Sequence, residues 1–493
     1  MTIPLSRTRP SAGLFIPLAL WLASGWATAQ ALPPEVEAQL ARAKVPREAL
    51  AAIVVDAAPA LAGKSTPLLS HRASVAVNPA SVMKLVTTYA GLELLGPAYT
   101  WNTPVYVDGP ISNGVLQGNL IIQGRGDPKL VQERLWLLLR RVQGLGIKTI
   151  TGDILLDRSA FAVSAPNPGD FDGEPLRPYN ASPDALLLNY KSVVMTFVPN
   201  PGNGTASVNF EPPLANVQTP SSVPLTASQN GAASDCGDYR GMLKADFSDP
   251  FRIVFNGSYP VGCGEKVWPL AYADPASYAE RAIAGMWAEM GGKLGGRARE
   301  GRAAPGLKPA FEVVSPTLTE VIRDINKFSN NVMAQQLFLT LSLRPRNGSP
   351  DTAASYAASR EVVRVWWRER FGDAEPPLLD NGSGLSRSER ATPQSLARML
   401  QTAYLSGAMP ELMASLPIVG VDGTLRRSRS RTAQGWAHLK SGTLRDSTAL
   451  AGYVHTPSGR RLVVVAIINH PNAPAARPAL EALVDWAVKE GNP

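Results

Sequence analysis

The chain has 493 residues, 45% hydrophobic and 18% charged, an ordinary globular composition with length enough for two or three packed domains. Its formal charge of +8 is not accompanied by the interleaved aromatic and basic residues of a nucleic-acid surface, so no nucleic-acid partner is expected. Two cysteines, four histidines and no His-Glu-x-x-His pattern argue against cysteine-rich metal or redox sites and against a zinc hydrolase, and no metal or organic cofactor is expected.

Residues 1–29 read as a signal peptide. Arg7 and Arg9 supply positive charge, residues 14–23 are apolar, and Ala27-Thr28-Ala29 offers small residues for cleavage. The alternative is an uncleaved anchor, but Pro17 interrupts the stretch and it falls short of the ~20 residues a span needs. Export to the periplasm is the expectation, and it would place Cys236 and Cys263 in an oxidising compartment, where a disulfide is favoured over two free thiols. The positive balance suits weak peripheral contact with anionic lipid or with a carboxylate-bearing polymer, and is equally compatible with plain solubility.

A helix is predicted over 35–43, then a β-branched strand at Ala52-Ile53-Val54-Val55 and a turn containing Gly63 and Pro67 that leads to a second strand. Pro79 stands before a run rich in Met, Leu and Ala that closes at Gly96-Pro97, which predicts a helix beginning near Ser81. Residues 101–305 change character: short alternating runs and many Asn-Gly and Pro-Gly breaks predict a mostly β insertion, with helices only at 128–143 and 274–291. Helical spacing returns at 317–343, 350–371 and 392–405. Strands follow at 436–441, 448–455 and 461–469, and a helix at 478–489 ends the pattern. A sheet assembled from the first and last parts of the chain is implied.

One constellation supplies the parts of a serine hydrolase. Ser81 and Lys84 are spaced i, i+3, one turn apart on a helix face, and no other lysine has a serine three residues before it. A lysine there can take the serine proton once burial and a second cation lower its own affinity for one. Taken alone, the pair reads equally as a capping serine beside a solvated lysine. Ser329-Asn330-Asn331 lies in an amphipathic stretch, with Ser329 placed to relay a proton and Asn331 to hold a substrate amide; a helix cap is the competing reading. The other Ser-x-Asn triplets, Ser207 to Asn209 and Ser228 to Asn230, fall in the loop-rich insertion and read as turns. Lys440-Ser441-Gly442-Thr443 ends a predicted strand. There Lys440 is the second cation, Ser441 can bind a carboxylate, and Gly442 lets backbone approach a ligand. The N–H groups of Ser81 and Thr443 are the candidate oxyanion hole. His438, two residues before Lys440, is expected to be a half-buried sheet histidine rather than a partner of a serine. No Gly-x-Ser-x-Gly elbow occurs.

With Ser-x-x-Lys, Ser-x-Asn and Lys-Ser-Gly in this order, the chain resembles the penicillin-recognising serine acyl-transferases. The long interval between Lys84 and Ser329 makes it similar to their low-molecular-mass class C, typified by penicillin-binding protein 4, as do Asp380-Asn381-Gly382-Ser383-Gly384-Leu385-Ser386-Arg387 and the segment from Leu416 through Asp422 to Leu425. Asn381, interposed after Asp380, is a mild departure. The resemblance implies an α/β (α+β) fold, a transpeptidase-like domain whose five-stranded antiparallel sheet is flanked by helices, from residues 30–98 and 306–493. An inserted domain at 99–195 and 267–305 would carry a nested one at 196–266. It implies D-alanyl-D-alanine carboxypeptidase and endopeptidase action on peptidoglycan stem peptides, with β-lactams as covalent inhibitors. It also offers Asp157 and Arg387 as contacts for the amino and carboxylate groups of a diaminopimelate stem; a turn aspartate and a surface-paired arginine are the plain alternatives. A β-lactamase or esterase on the same scaffold, or a non-catalytic wall-binding protein, are the competing functions.

Overall fold

The computed structural model describes residues 1–2, 31–58, 66–164, 167–226, 236–343 and 353–490. The predicted signal segment therefore lies outside the described residues, apart from Met1 and Thr2, as do Gly63 and the Ser228 to Asn230 triplet.

Five strands, Leu50–Asp56, Leu69–His71, Ala437–Leu444, Ser447–His455 and Arg461–Asn469, form one antiparallel sheet. The last three make a meander, Leu50–Asp56 adds beside Arg461–Asn469, and Leu69–His71 forms the far edge. Side chains alternate across a strand, and both faces are buried here. Ile53, Val55, Ala451, Val463 and Val465 pack with the helices Lys84–Leu95, Leu318–Lys327, Asn331–Thr340, Tyr356–Phe371 and Pro393–Tyr404. Ala52, Val54, Leu450, Leu462 and Val464 face the helices Pro34–Arg42 and Arg477–Glu490. Full burial of each large aliphatic contributes roughly 2 kcal/mol. Such a two-sided core explains the unbroken apolar run from Leu462 to Ile468.

The predicted helix at 317–343 is two helices, Leu318–Lys327 and Asn331–Thr340, broken at Phe328-Ser329-Asn330. Every residue of Asn331–Thr340 is buried, so the expected amphipathic stretch is instead a helix enclosed on all sides. Lys84–Leu95 is similarly enclosed, and Gly91 lets Leu337 of the neighbouring helix approach closely.

In the insertion, one sheet has the order Ala298–Glu300, Ile154–Asp157, Asn119–Gln123, Asn102–Asp108, Phe311–Val314, and helices Gln132–Gly144 and Tyr278–Glu289 share its apolar core. A second sheet runs Ser222–Pro224, Thr205–Glu211, Ser192–Asn200, Lys266–Ala271. Backbone pairing shifts the boundaries read from sequence. Phe311–Val314 pairs with Asn102–Asp108, beyond the cut at 305, and the cut at 195 passes through Ser192–Asn200. Ser207 and Asn209, whose residue types suggest turns, stand on a strand. Cys236 and Cys263 form a disulfide beside this second sheet.

Candidate active site

Ser81 does not start an α-helix, as its spacing from Pro79 suggested. It sits in a 3-10 turn, Ala80–Met83, and the α-helix begins at Lys84. Ala80 is held at φ 48°, a left-handed conformation that costs a non-glycine residue about 1 kcal/mol. The surroundings impose it: Asn78 Oδ1 accepts the Ala80 N–H at 2.9 Å, Asn78 Nδ2 donates to the Ser386 carbonyl, and Asn469 Oδ1 accepts the Asn78 N–H. Gly384 lies against the same turn, where a Cβ would stand 2.1 Å from the Ala80 carbonyl oxygen. The serine is thereby presented on a sharp bend, partly exposed.

Lys84 is fully buried. Its Nζ lies 3.0 Å from Ser81 Oγ, 2.6 Å from Asn331 Oδ1 and 2.5 Å from the Ser383 carbonyl oxygen. A neutral amine has two hydrogens and one lone pair. The two carbonyl-type oxygens take the hydrogens, leaving the lone pair for the Ser81 hydroxyl. Burial pushes the Lys84 ammonium down to about 7, against an upward pull from Glu389. Of the two causes expected from the sequence, burial is the one that lowers Lys84, and the second cation is itself the one affected: after burial, the Lys84 charge drives Lys440 well below an ordinary lysine.

Ser329 stands at φ 57° in the break between the two helices, and its Oγ accepts from Lys440 Nζ at 2.8 Å. It is Asn330, not Ser329, that caps the following helix, by accepting the Met333 N–H. Asn331 spends its oxygen on Lys84 and one N–H on the Tyr179 carbonyl at 3.3 Å. Lys440, also fully buried, donates back to the Ser441 carbonyl. Ser441 is buried and pairs with the Thr424 hydroxyl at 2.6 Å. A Cβ on Gly442 would meet the Pro79 carbonyl oxygen at 2.6 Å and the Ser81 nitrogen at 3.1 Å, so only glycine lets this strand edge lie against the Ser81 turn. Thr443 is exposed next to it.

Ser81, Lys84, Ser329, Asn331, Lys440, Ser441 and Gly442 are thus joined by contacts, and Asp157 is joined to none of them. Its buried carboxylate accepts from Ser159 N and Oγ, Gln123 Nε2 and Ala303 N; although burial opposes it, these hydrogen bonds hold its carboxyl below the ordinary value. Of the two readings of Asp157, this geometry is that of a turn aspartate. Arg387 is exposed, pairs at 3.1 Å with Asp446 in the turn that follows Thr443, and lies 4.7 Å over the Phe171 ring. His438 packs its ring 5.4 Å from that of His455 on the neighbouring strand.

Residues 32–490 match the D-Ala-D-Ala carboxypeptidase 3 (S13) family. The chain belongs to that family. It is 24% identical over 414 residues to the D-alanyl-D-alanine carboxypeptidase DacB of Haemophilus influenzae, covering 82% of each chain. It is 28% identical over 484 residues to the D-alanyl-D-alanine carboxypeptidase of an Actinomadura species, covering 92% of this chain and 86% of that one. Penicillin-binding protein 4 of Haemophilus influenzae superposes with a TM-score of 0.70 at 21% identity, over 93% of this chain and 99% of that one. This S13 chain is accordingly a hydrolase of the D-alanyl-D-alanine carboxypeptidase class with the fold of that neighbour.

Sequence reading missed several parts of the site in this family member. Asn78 and Asn469, 391 residues apart, became partners only when their strands and turns met. Thr424 lies in the Leu416–Leu425 segment, where nothing in its residue type signals that it reaches Ser441. Tyr179 arrives from the insertion, its loop tied by Tyr179 Oη and Asn180 Nδ2 to Asp172. Glu389, fully buried, lies in an arginine-flanked stretch that reads as surface, where its only signal was proximity to the Asp380–Arg387 motif.

Proposed function

We propose that the chain cleaves the D-alanyl-D-alanine bond of peptidoglycan stem peptides through an acyl-enzyme on Ser81, as a carboxypeptidase and as an endopeptidase on cross-linked strands, and that β-lactams acylate the same serine. The observation that carries this reading is the buried Lys84 Nζ, 3.0 Å from Ser81 Oγ and held by the oxygens of Asn331 and Ser383, so that its neutral form can turn a lone pair to the serine hydroxyl. Ser81 Oγ attacks the carbonyl of the penultimate D-alanine while Lys84 takes the hydroxyl proton. The oxyanion is met by the N–H groups of Ser81 and Thr443. As the carbon–nitrogen bond breaks, the leaving amine takes a proton from Ser329, which Lys440 resupplies across their 2.8 Å contact. Water then releases the acyl group. Ser441 and Thr424 hold the terminal carboxylate, and Asn331 offers its free N–H to the substrate amide oxygen. Arg387 reaches an acidic group of the stem only by giving up Asp446.

Residues 1–29 have the composition of a signal peptide, which suits action on the cell wall. We place the mature protein in the periplasm. Mass spectrometry after incubation with benzylpenicillin tests the nucleophile: a covalent adduct on Ser81, absent from Ser81→Ala, is expected, and its absence from the wild type would favour a binding protein. Digestion of purified sacculi tests the substrate, since release of free D-alanine reports the carboxypeptidase and loss of cross-linked dimers the endopeptidase. A penicilloyl adduct that disappears within seconds would indicate a β-lactamase instead.

A further inference from the structure

Glu389 is the one carboxylate in the described part of the molecule that is fully buried and electrostatically coupled to Lys84. Its Oε1 accepts three backbone N–H groups, from Asp380 (3.0 Å), Asn381 (3.2 Å) and Gly382 (2.9 Å). Those donors belong to the turn whose next carbonyl, Ser383, receives Lys84 Nζ, and whose Gly384 presses on Ala80 and Ser81. The turn is also tied to the Lys84 helix, where Thr87 donates to the Gly382 carbonyl at 2.6 Å. Oε2, by contrast, has no hydrogen-bond partner among the described residues. A buried carboxylate oxygen left bare is costly, because it has given up its water without gaining a donor. Nothing in that cost is needed to staple the turn, because Oε1 alone does it and a glutamine would do it as well.

We infer that Glu389 is a positioning residue for acylation: it fixes the Asp380–Ser383 turn against Lys84, and its charge governs how readily Lys84 becomes the free base that Ser81 needs. The inference rests on Ser81 and Lys84 acting as proposed above. An ionised Glu389 holds the Lys84 ammonium in place. A proton on Glu389, for which the bare Oε2 is the available position, leaves the buried pocket free of net charge with Lys84 neutral. Burial, reinforced by Asp380 and offset by the turn N–H groups and by Lys84, raises the Glu389 carboxyl to about 7, alongside Lys84 at about 7. Among the described residues, the other charged groups near the pair are Lys440, coupled to Lys84, Asp380 with its Arg360 partner at 3.6 Å, and Arg390, whose guanidinium donates to the Glu389 carbonyl.

The test is the pH profile of benzylpenicillin acylation for wild type and Glu389→Gln, followed by stopped flow. Removing the carboxylate charge weakens the ammonium, so the acid limb of the variant should move about one pH unit lower, while its plateau rate stays within about threefold and the turn is retained. An acid limb that coincides with the wild type in a folded variant would reduce Glu389 to a staple. Should Glu389→Gln fail to fold, the wild type itself decides. An infrared band of a protonated buried carboxyl should fade between pH 6 and pH 8 in the wild type, and a pocket carboxyl already ionised at pH 5 would overturn the inference. Failure of the parent reading looks different, because then no serine adduct forms at any pH.

Discussion

The acid limb of acylation should fall where burial places Lys84. With an ammonium that loses its proton at about 7, about half the molecules carry the free base at pH 7, about one in ten at pH 6 and about one in a hundred at pH 5. An exposed lysine at its ordinary 10.5 would be free in about one molecule in three thousand at pH 7, so burial raises the concentration of base about 1,500-fold. The second-order rate constant for benzylpenicillin acylation, measured from pH 5 to 9, should therefore rise tenfold per unit up to about pH 7 and then level off. Lys84→Met, nearly equal in volume and without the amine, should lower the plateau by about 10²–10⁴-fold. A profile still climbing at pH 9, or flat from 5 to 7, would refute Lys84 as the base, as would a Lys84→Met enzyme with near-normal acylation.

The same residue predicts a stability effect of definite sign. Lys84 is depressed, so its contribution is present above 10.5 and lost as pH falls through about 7; the Tm of Lys84→Met relative to wild type should be higher at pH 7 than at pH 10 by differential scanning calorimetry. Gly442→Ala would set a Cβ 2.6 Å from the Pro79 carbonyl oxygen, and displacing the strand from the Ser81 turn should cost about 10²-fold in acylation with a far smaller change in Tm. Thr424→Val removes the hydroxyl partner of Ser441 and should lower kcat/KM for a D-alanyl-D-alanine peptide about five- to tenfold, near 1 kcal/mol. Replacing Cys236 and Cys263 by alanine releases a link across 27 positions and should destabilise the sheet beside it by up to about 3 kcal/mol, read by denaturant unfolding, while leaving acylation unchanged.

Local chemistry made a good part of this legible from residues alone. The apolar strands at both ends of the chain, the helix stops at Gly96-Pro97 and the order of Ser81, Lys84, Ser329, Asn331 and Lys440 follow from periodicity and spacing, which act within a few residues. Errors gathered where distant segments impose a conformation. Ser81 entered a 3-10 turn because Asn78, Asn469 and Gly384 hold Ala80 left-handed. Ser329 fell in a break between helices that the hydropathy pattern runs straight through, and the strand Phe311–Val314 joined the insertion by backbone pairing, which carries no side-chain signature.

By itself, then, the sequence determined the strand and helix content and the residue types of the candidate site, since these depend on local propensity and on side-chain chemistry. The tertiary structure alone decided which groups share the interior with Lys84. Proton affinity is set by burial and by charges brought from far along the chain, and Glu389, 305 residues beyond Lys84 in the numbering of the chain, enters the pocket only because the Asp380–Ser383 turn folds onto the Lys84 helix.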